Sequence, residues 1–135
     1  MKTHAMMASL PDAGRITVHA GQVLLYPRHT PPGLFVVLAG VLRRFAEGTV
    51  PEAGCGDLLD SASGVFAVPA PDEVGEPVGA GVVAQTDVEL LFVPRSVVLR
   101  GEAVSRALAA SGVVPVPLRE SVKRREQSLA ARRAR

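Results

Sequence analysis

A chain of 135 residues with a formal net charge of +2 is of single-domain size and can bury a core without disulfide or metal staples. Hydrophobic residues make up 47% but aromatics only 4%, with no Trp, so the interior must be built from Val, Leu, Ile and Ala, a set that suits strands. The lone Cys55 excludes an intrachain disulfide, and no stretch reaches the ~20 apolar residues of a membrane span or has the build of a signal peptide, so a soluble protein in a reducing cytosol is expected.

Residues 1–10 carry no strong pattern and read as a loose arm or a short helix, followed by the turn signal Pro11-Asp12-Ala13-Gly14. Arg15-Ile16-Thr17-Val18-His19 alternates with the period of a half-buried strand. Ala20-Gly21-Gln22 is a tight turn into the strand Val23-Leu24-Leu25-Tyr26, and residues 27–33, with three prolines, form a loop. From Phe35 to Phe45 both alternating sets are apolar, with Phe35, Val37, Ala39 and Val41 on one face and Val36, Leu38 and Leu42 on the other. This predicts a strand covered on both sides, with Gly40 where neighbouring backbone comes close.

Two brief apolar pieces follow, Asp57-Leu58-Leu59 and Val65-Phe66-Ala67-Val68. Residues 69–77 read as a rigid acidic loop with Pro69, Pro71 and Pro77. Two strands bent at Thr86-Asp87 end the β-rich part, and Pro94-Arg95-Ser96 opens a helix that is interrupted by Gly101 and closed by Gly112. On it Val104, Ala107, Leu108 and Ser111 share a face. Pro115 and Pro117 break the rod, so a second helix from Leu118 is expected, with a thin stripe of Leu118, Val122 and Leu129 suited to a partner contact. Residues 119–135 carry seven basic side chains against two acidic ones, leaving −3 on residues 1–118.

The Gly21-Gln22 turn, Leu38-Ala39-Gly40-Val41 and the run from Ala84 through Thr86-Asp87 to Pro94 come in an order that resembles the cyclic-nucleotide-binding-domain family, over roughly residues 15–111. The resemblance implies a mainly β fold, an eight-stranded jelly-roll barrel with C-terminal helices. It divides the chain into an N-terminal arm at 1–14, the barrel at 15–94, and a helical segment with a basic tail at 95–135.

In that family a Gly-Glu pair on a short helix grips the ribose and a following Arg pairs with the cyclic phosphate. Here the cassette is degenerate. Gly75-Glu76 lies too close to the next strand, Val78 and Gly79 stand where the Arg is needed, and residues 57–85 hold no Lys or Arg. A buried phosphate would lack a counter-charge and would meet Asp72, Glu73 and Glu76. The expectation is a non-enzymatic regulatory or protein-interaction module that does not bind cAMP or cGMP in the usual manner, with homodimer or partner surface in its C-terminal helices.

Two alternatives stand beside it. One is a sensor for another small molecule in the barrel, with Tyr26, Arg43 or Arg44 as its polar contact. The other is nucleic-acid binding through Lys123, Arg124, Arg125, Arg132 and Arg133, a contact that salt would weaken steeply. No cofactor or metal is implied: His4, His19 and His29 are scattered, Cys55 has no resolving partner, and Ser61 and Ser63 sit in a turn without a base.

Overall fold

The computed structural model describes residues 13–48 and 56–118. Nine strands and two short helices occur among them: β1 (Gly14–Val18), β2 (Val23–Leu25), β3 (Gly33–Ala39), β4 (Val41–Ala46), β5 (Leu58–Asp60), β6 (Phe66–Val68), β7 (Ala80–Ala84), β8 (Val88–Pro94), α1 (Arg95–Val98), α2 (Ala103–Ala110) and β9 (Val114–Pro115). They form a five-stranded sheet ordered β1-β8-β3-β6-β9 and a four-stranded sheet ordered β2-β7-β4-β5. Mainly β with a jelly-roll-like arrangement, the fold is the class the sequence predicted, although its sheets are not closed into one barrel.

The block 35–45 is two strands in different sheets. The chain turns at Gly40, whose φ is +116°, and an added Cβ there would stand 2.6 Å from the Asp87 carbonyl oxygen. The close approach expected of this glycine is therefore a sheet-switching corner. The Ser61 hydroxyl accepts from the Gly40 N–H at 2.9 Å, and the Thr86 hydroxyl accepts from the Val41 N–H at 3.0 Å. Because the strand breaks here, Leu42 joins Phe35 and Val37 in the inter-sheet core, and not Val36 as an unbroken alternation had implied.

Two cores flank the larger sheet. Between the sheets lie Leu25, Phe35, Val37, Leu42, Phe66 and Val68, with Val78, Val82, Val88, Leu90 and Leu118. On the other face, Leu34, Val36, Ala67, Leu91 and Val93 pack with Val98, Val104, Leu108 and Val113 from the helical region. Strand β3 contributes to both, which is why its sequence is apolar on both faces. Helix α2 buries Val104 and Leu108 and ends in paired bonds from Gly112 N–H to Ala109 C=O and from Val113 N–H to Leu108 C=O. This is the left-handed glycine termination predicted at Gly112.

After α2 the chain returns to the sheets. Val114 and Val116 donate N–H bonds to the carbonyls of Val65 and Ala67 at 3.3 and 2.7 Å, and β9 runs parallel to β6. Leu118 is 0% exposed. The sequence had placed it on a thin partner stripe; it belongs to the inter-sheet core instead, because the preceding strand delivers it there.

Candidate functional site

Residues 69–79, where the resemblance locates a ligand cassette, connect β6 to β7. A 3₁₀ turn at Pro71–Glu73 follows the extended Ala70. It turns Glu73 inward, to 3% exposure, while Asp72 and Glu76 stay exposed. The Glu73 carboxylate accepts from the Ala70 N–H at 3.0 Å. It also accepts from the Leu118 N–H, at 2.8 Å to Oε1 and 3.0 Å to Oε2. The sequence reading counted this side chain among the charges of an acidic loop; it is a buried tether between that loop and the returning C-terminal segment.

Gly75 and Glu76 are exposed, and Gly79 is half-buried. Val78, 3% exposed, inserts into the inter-sheet core. Its backbone is fixed by the Arg28 N–H, which donates to the Val78 carbonyl at 2.8 Å, and by its own N–H to the His29 carbonyl at 3.1 Å.

Arg44, on β4, meets the same C-terminal segment from the opposite side. Its Nη2 pairs with Asp57 Oδ2 at 2.5 Å and its Nη1 donates to the Pro117 carbonyl at 3.2 Å. The Pro117 carbonyl and the Leu118 N–H belong to one peptide group, so a cationic donor and an anionic acceptor hold the two polar ends of a single peptide unit. Val116 and Leu118 flank it and pack into the inter-sheet core. Hydrogen bonds to charged groups contribute about 1.5–3 kcal/mol each, more than neutral ones. The arrangement holds one peptide unit between two charged side chains, with apolar side chains beside it.

The other candidate residues lie elsewhere. Arg43 points from β4 to the Gln85 side chain at 2.8 Å and to the Gly56 carbonyl at 3.2 Å. Tyr26 is 51% exposed and its ring lies 5.7 Å from that of His29. It lines an open cleft of about 360 Å³ with His29, Phe45 and Glu47, beside an Arg28–Glu47 ion pair at 2.5 Å. Tyr26, Arg43 and Arg44 thus engage three different sets of partners.

His19 is exposed, with Nδ1 3.8 Å from the Asp87 carboxylate, and no group of three His, Cys, Asp or Glu suited to a metal occurs among the described residues. Ser61 serves the Gly40 corner, and Asp60 caps the turn over Ser61–Ser63 by accepting from the Ala62 N–H. His4, Cys55 and the basic residues Lys123, Arg124, Arg125, Arg132 and Arg133 lie outside the described residues.

No protein-family model and no curated protein sequence matches this chain. Solved structures do. The C-linker/CNBHD of zELK channels, crystallised in the presence of cAMP, aligns with a TM-score of 0.60 at 17% identity over 84% of this chain and 59% of that one. A transcriptional regulator from Thermotoga maritima aligns at 0.55 and 18% identity, over 92% and 94%. A cyclic nucleotide-binding-like protein from Brucella abortus aligns at 0.54 and 17%, over 77% and 83%. This chain spans little more than half the length of the channel structures, 53% and 59% in two of them. At these identities the likeness establishes a shared cyclic-nucleotide-binding-domain fold.

Proposed function

We propose that this chain uses a cyclic-nucleotide-binding-domain fold as a regulatory or protein-interaction module and does not take up cAMP or cGMP in the usual manner. One observation carries the reading: the space between the sheets beside residues 69–79, here called the mouth, is occupied by the chain's own side chains. Val78 and Leu118 are buried in the inter-sheet core, and the 117–118 peptide engages both Arg44 and Glu73. Residues 57–85 supply no Lys or Arg to balance a phosphate. Arg44, which does reach this mouth, is held by Asp57 and Pro117. A buried cyclic phosphate would need displacement of the segment and a new counter-charge, and would face the Glu73 carboxylate.

We assign no catalytic step and no cofactor. The regulators and channels that share the fold support a regulatory role, in which residues after Leu118 join the module to a second copy or to an effector. Calorimetric titration with cAMP, cGMP and cyclic dinucleotides should give no heat of binding; micromolar affinity for any of them refutes the reading. A nucleic-acid role remains attached to residues 119–135, whose seven basic side chains face only two acidic ones. Deleting those residues and finding unchanged DNA retention at low and moderate salt removes it.

A further inference from the structure

The segment that fills the mouth is held in an unusual way. Strand β9 is two residues long, and over residues 114–117 the backbone donors are those of Val114 and Val116, which bond the Val65 and Ala67 carbonyls. Pro115 and Pro117, lacking N–H groups, alternate with these donors, so over residues 114–117 the segment can donate along one edge only, while the proline carbonyls can still accept along the other. Beyond the last ladder bond, recognition passes to side chains: Arg44 to the Pro117 carbonyl and Glu73 to the Leu118 N–H. Both clamp residues belong to the sandwich, and they are anchored there independently of the segment, Arg44 by Asp57 and Glu73 by the Ala70 N–H.

We propose that this mouth is a receptor for an extended apolar peptide with prolines at alternate positions, occupied in cis by residues 113–118 and open in exchange to the matching segment of a partner protein. The inference rests on the interaction-module reading and names the chemistry of its partner. A ligand fits if it places one N–H at Glu73, one carbonyl at Arg44 and an apolar side chain in the space of Leu118, with edge-strand bonds to Val65 and Ala67. Strand addition of this kind derives affinity from main-chain bonds and specificity from alternate side chains.

The tether makes exchange competitive. A covalently attached segment acts at an effective concentration on the order of millimolar, so a free peptide at micromolar concentration is suppressed about a hundredfold or more. The test uses a fluorescent peptide of sequence Val-Val-Pro-Val-Pro-Leu, matching residues 113–118, against the full chain. Leu118→Asp should raise its apparent affinity at least about tenfold over the unsubstituted chain, because it ejects the competitor and leaves the clamp intact. Adding Arg44→Met should abolish that gain, which a merely loosened, sticky core would not do.

A Leu118→Asp chain that retains its native circular dichroism and does not bind the peptide overturns the proposal. Where that variant does not fold, hydrogen exchange on the unsubstituted chain decides. Amides of Val114, Val116 and Leu118 exchanging well before those of β3 and β8 supports a separable segment, and exchange only with the whole sandwich overturns it. Either failure leaves the nucleotide titration unaffected, so the two readings fall separately.

Discussion

Replacing Glu73 by Ala tests the tether most directly. The substitution leaves two backbone N–H groups, those of Ala70 and Leu118, without their carboxylate partner in positions that are 8% and 0% exposed. An unsatisfied buried donor costs about 1–3 kcal/mol, so the pair loses roughly 2–6 kcal/mol. Relief from burying a carboxylate returns part of this, and a net destabilisation of about 3 kcal/mol is expected. That is a large share of the ~5–15 kcal/mol available to a domain of this size. Glu73→Gln keeps an acceptor oxygen and should lose only about 1 kcal/mol. With no Trp and a single Tyr, urea unfolding is best followed by far-ultraviolet circular dichroism, with m-values checked for constancy. A loss below about 1 kcal/mol for Glu73→Ala would refute the tether, since water would then serve those donors equally well.

Other outcomes follow from local geometry. A Cβ at Gly81 would stand 2.2 Å from the Phe45 ring, so Gly81→Ala should cost about 1–3 kcal/mol through overpacking, seen as a lower melting temperature. At Gly33 the same atom would meet the Val93 carbonyl oxygen at 2.1 Å, and because backbone yields less than a ring, thermal melts should show Gly33→Ala to be the more damaging of the two. The Arg15–Glu89 pair, with side chains about half exposed at 51% and 49%, should give a coupling of no more than about 1 kcal/mol in a double-mutant cycle.

The sequence exposed elements whose patterns are local. Arg15 to His19 was legible as a strand, although β1 is not half-buried as its alternation implied, since Ile16 is 42% exposed, and β7 and β8 were visible on either side of Thr86-Asp87. The structure adds what that turn does: Asp87 accepts from the Ala20 N–H at 2.9 Å while Thr86 accepts from Val41, so one dipeptide fastens two other corners. The break at Gly40 was hidden because both faces of residues 35–45 are apolar, and periodicity carries no record of which sheet a residue enters. Glu73 was hidden for a different reason. Its partner Leu118 is 45 residues away, and composition alone cannot separate a solvated carboxylate from one turned inward. The alternation of Val and Pro over residues 114–117 was a usable signal, read only as a helix breaker. Prolines at every second position also fit an edge strand that donates from one side.

Strand β3 places Leu34 and Val36 against the helices and Phe35 and Val37 between the sheets, all at 6% exposure or less. One short piece of backbone is thus the party wall of two compartments. Val98 and Leu108 pack in the cluster that holds Leu34 and Val36, and the alternate residues of the same strand line the inter-sheet core that holds Leu118. Cooperative melting of both compartments in one calorimetric transition is the signature such a wall leaves behind.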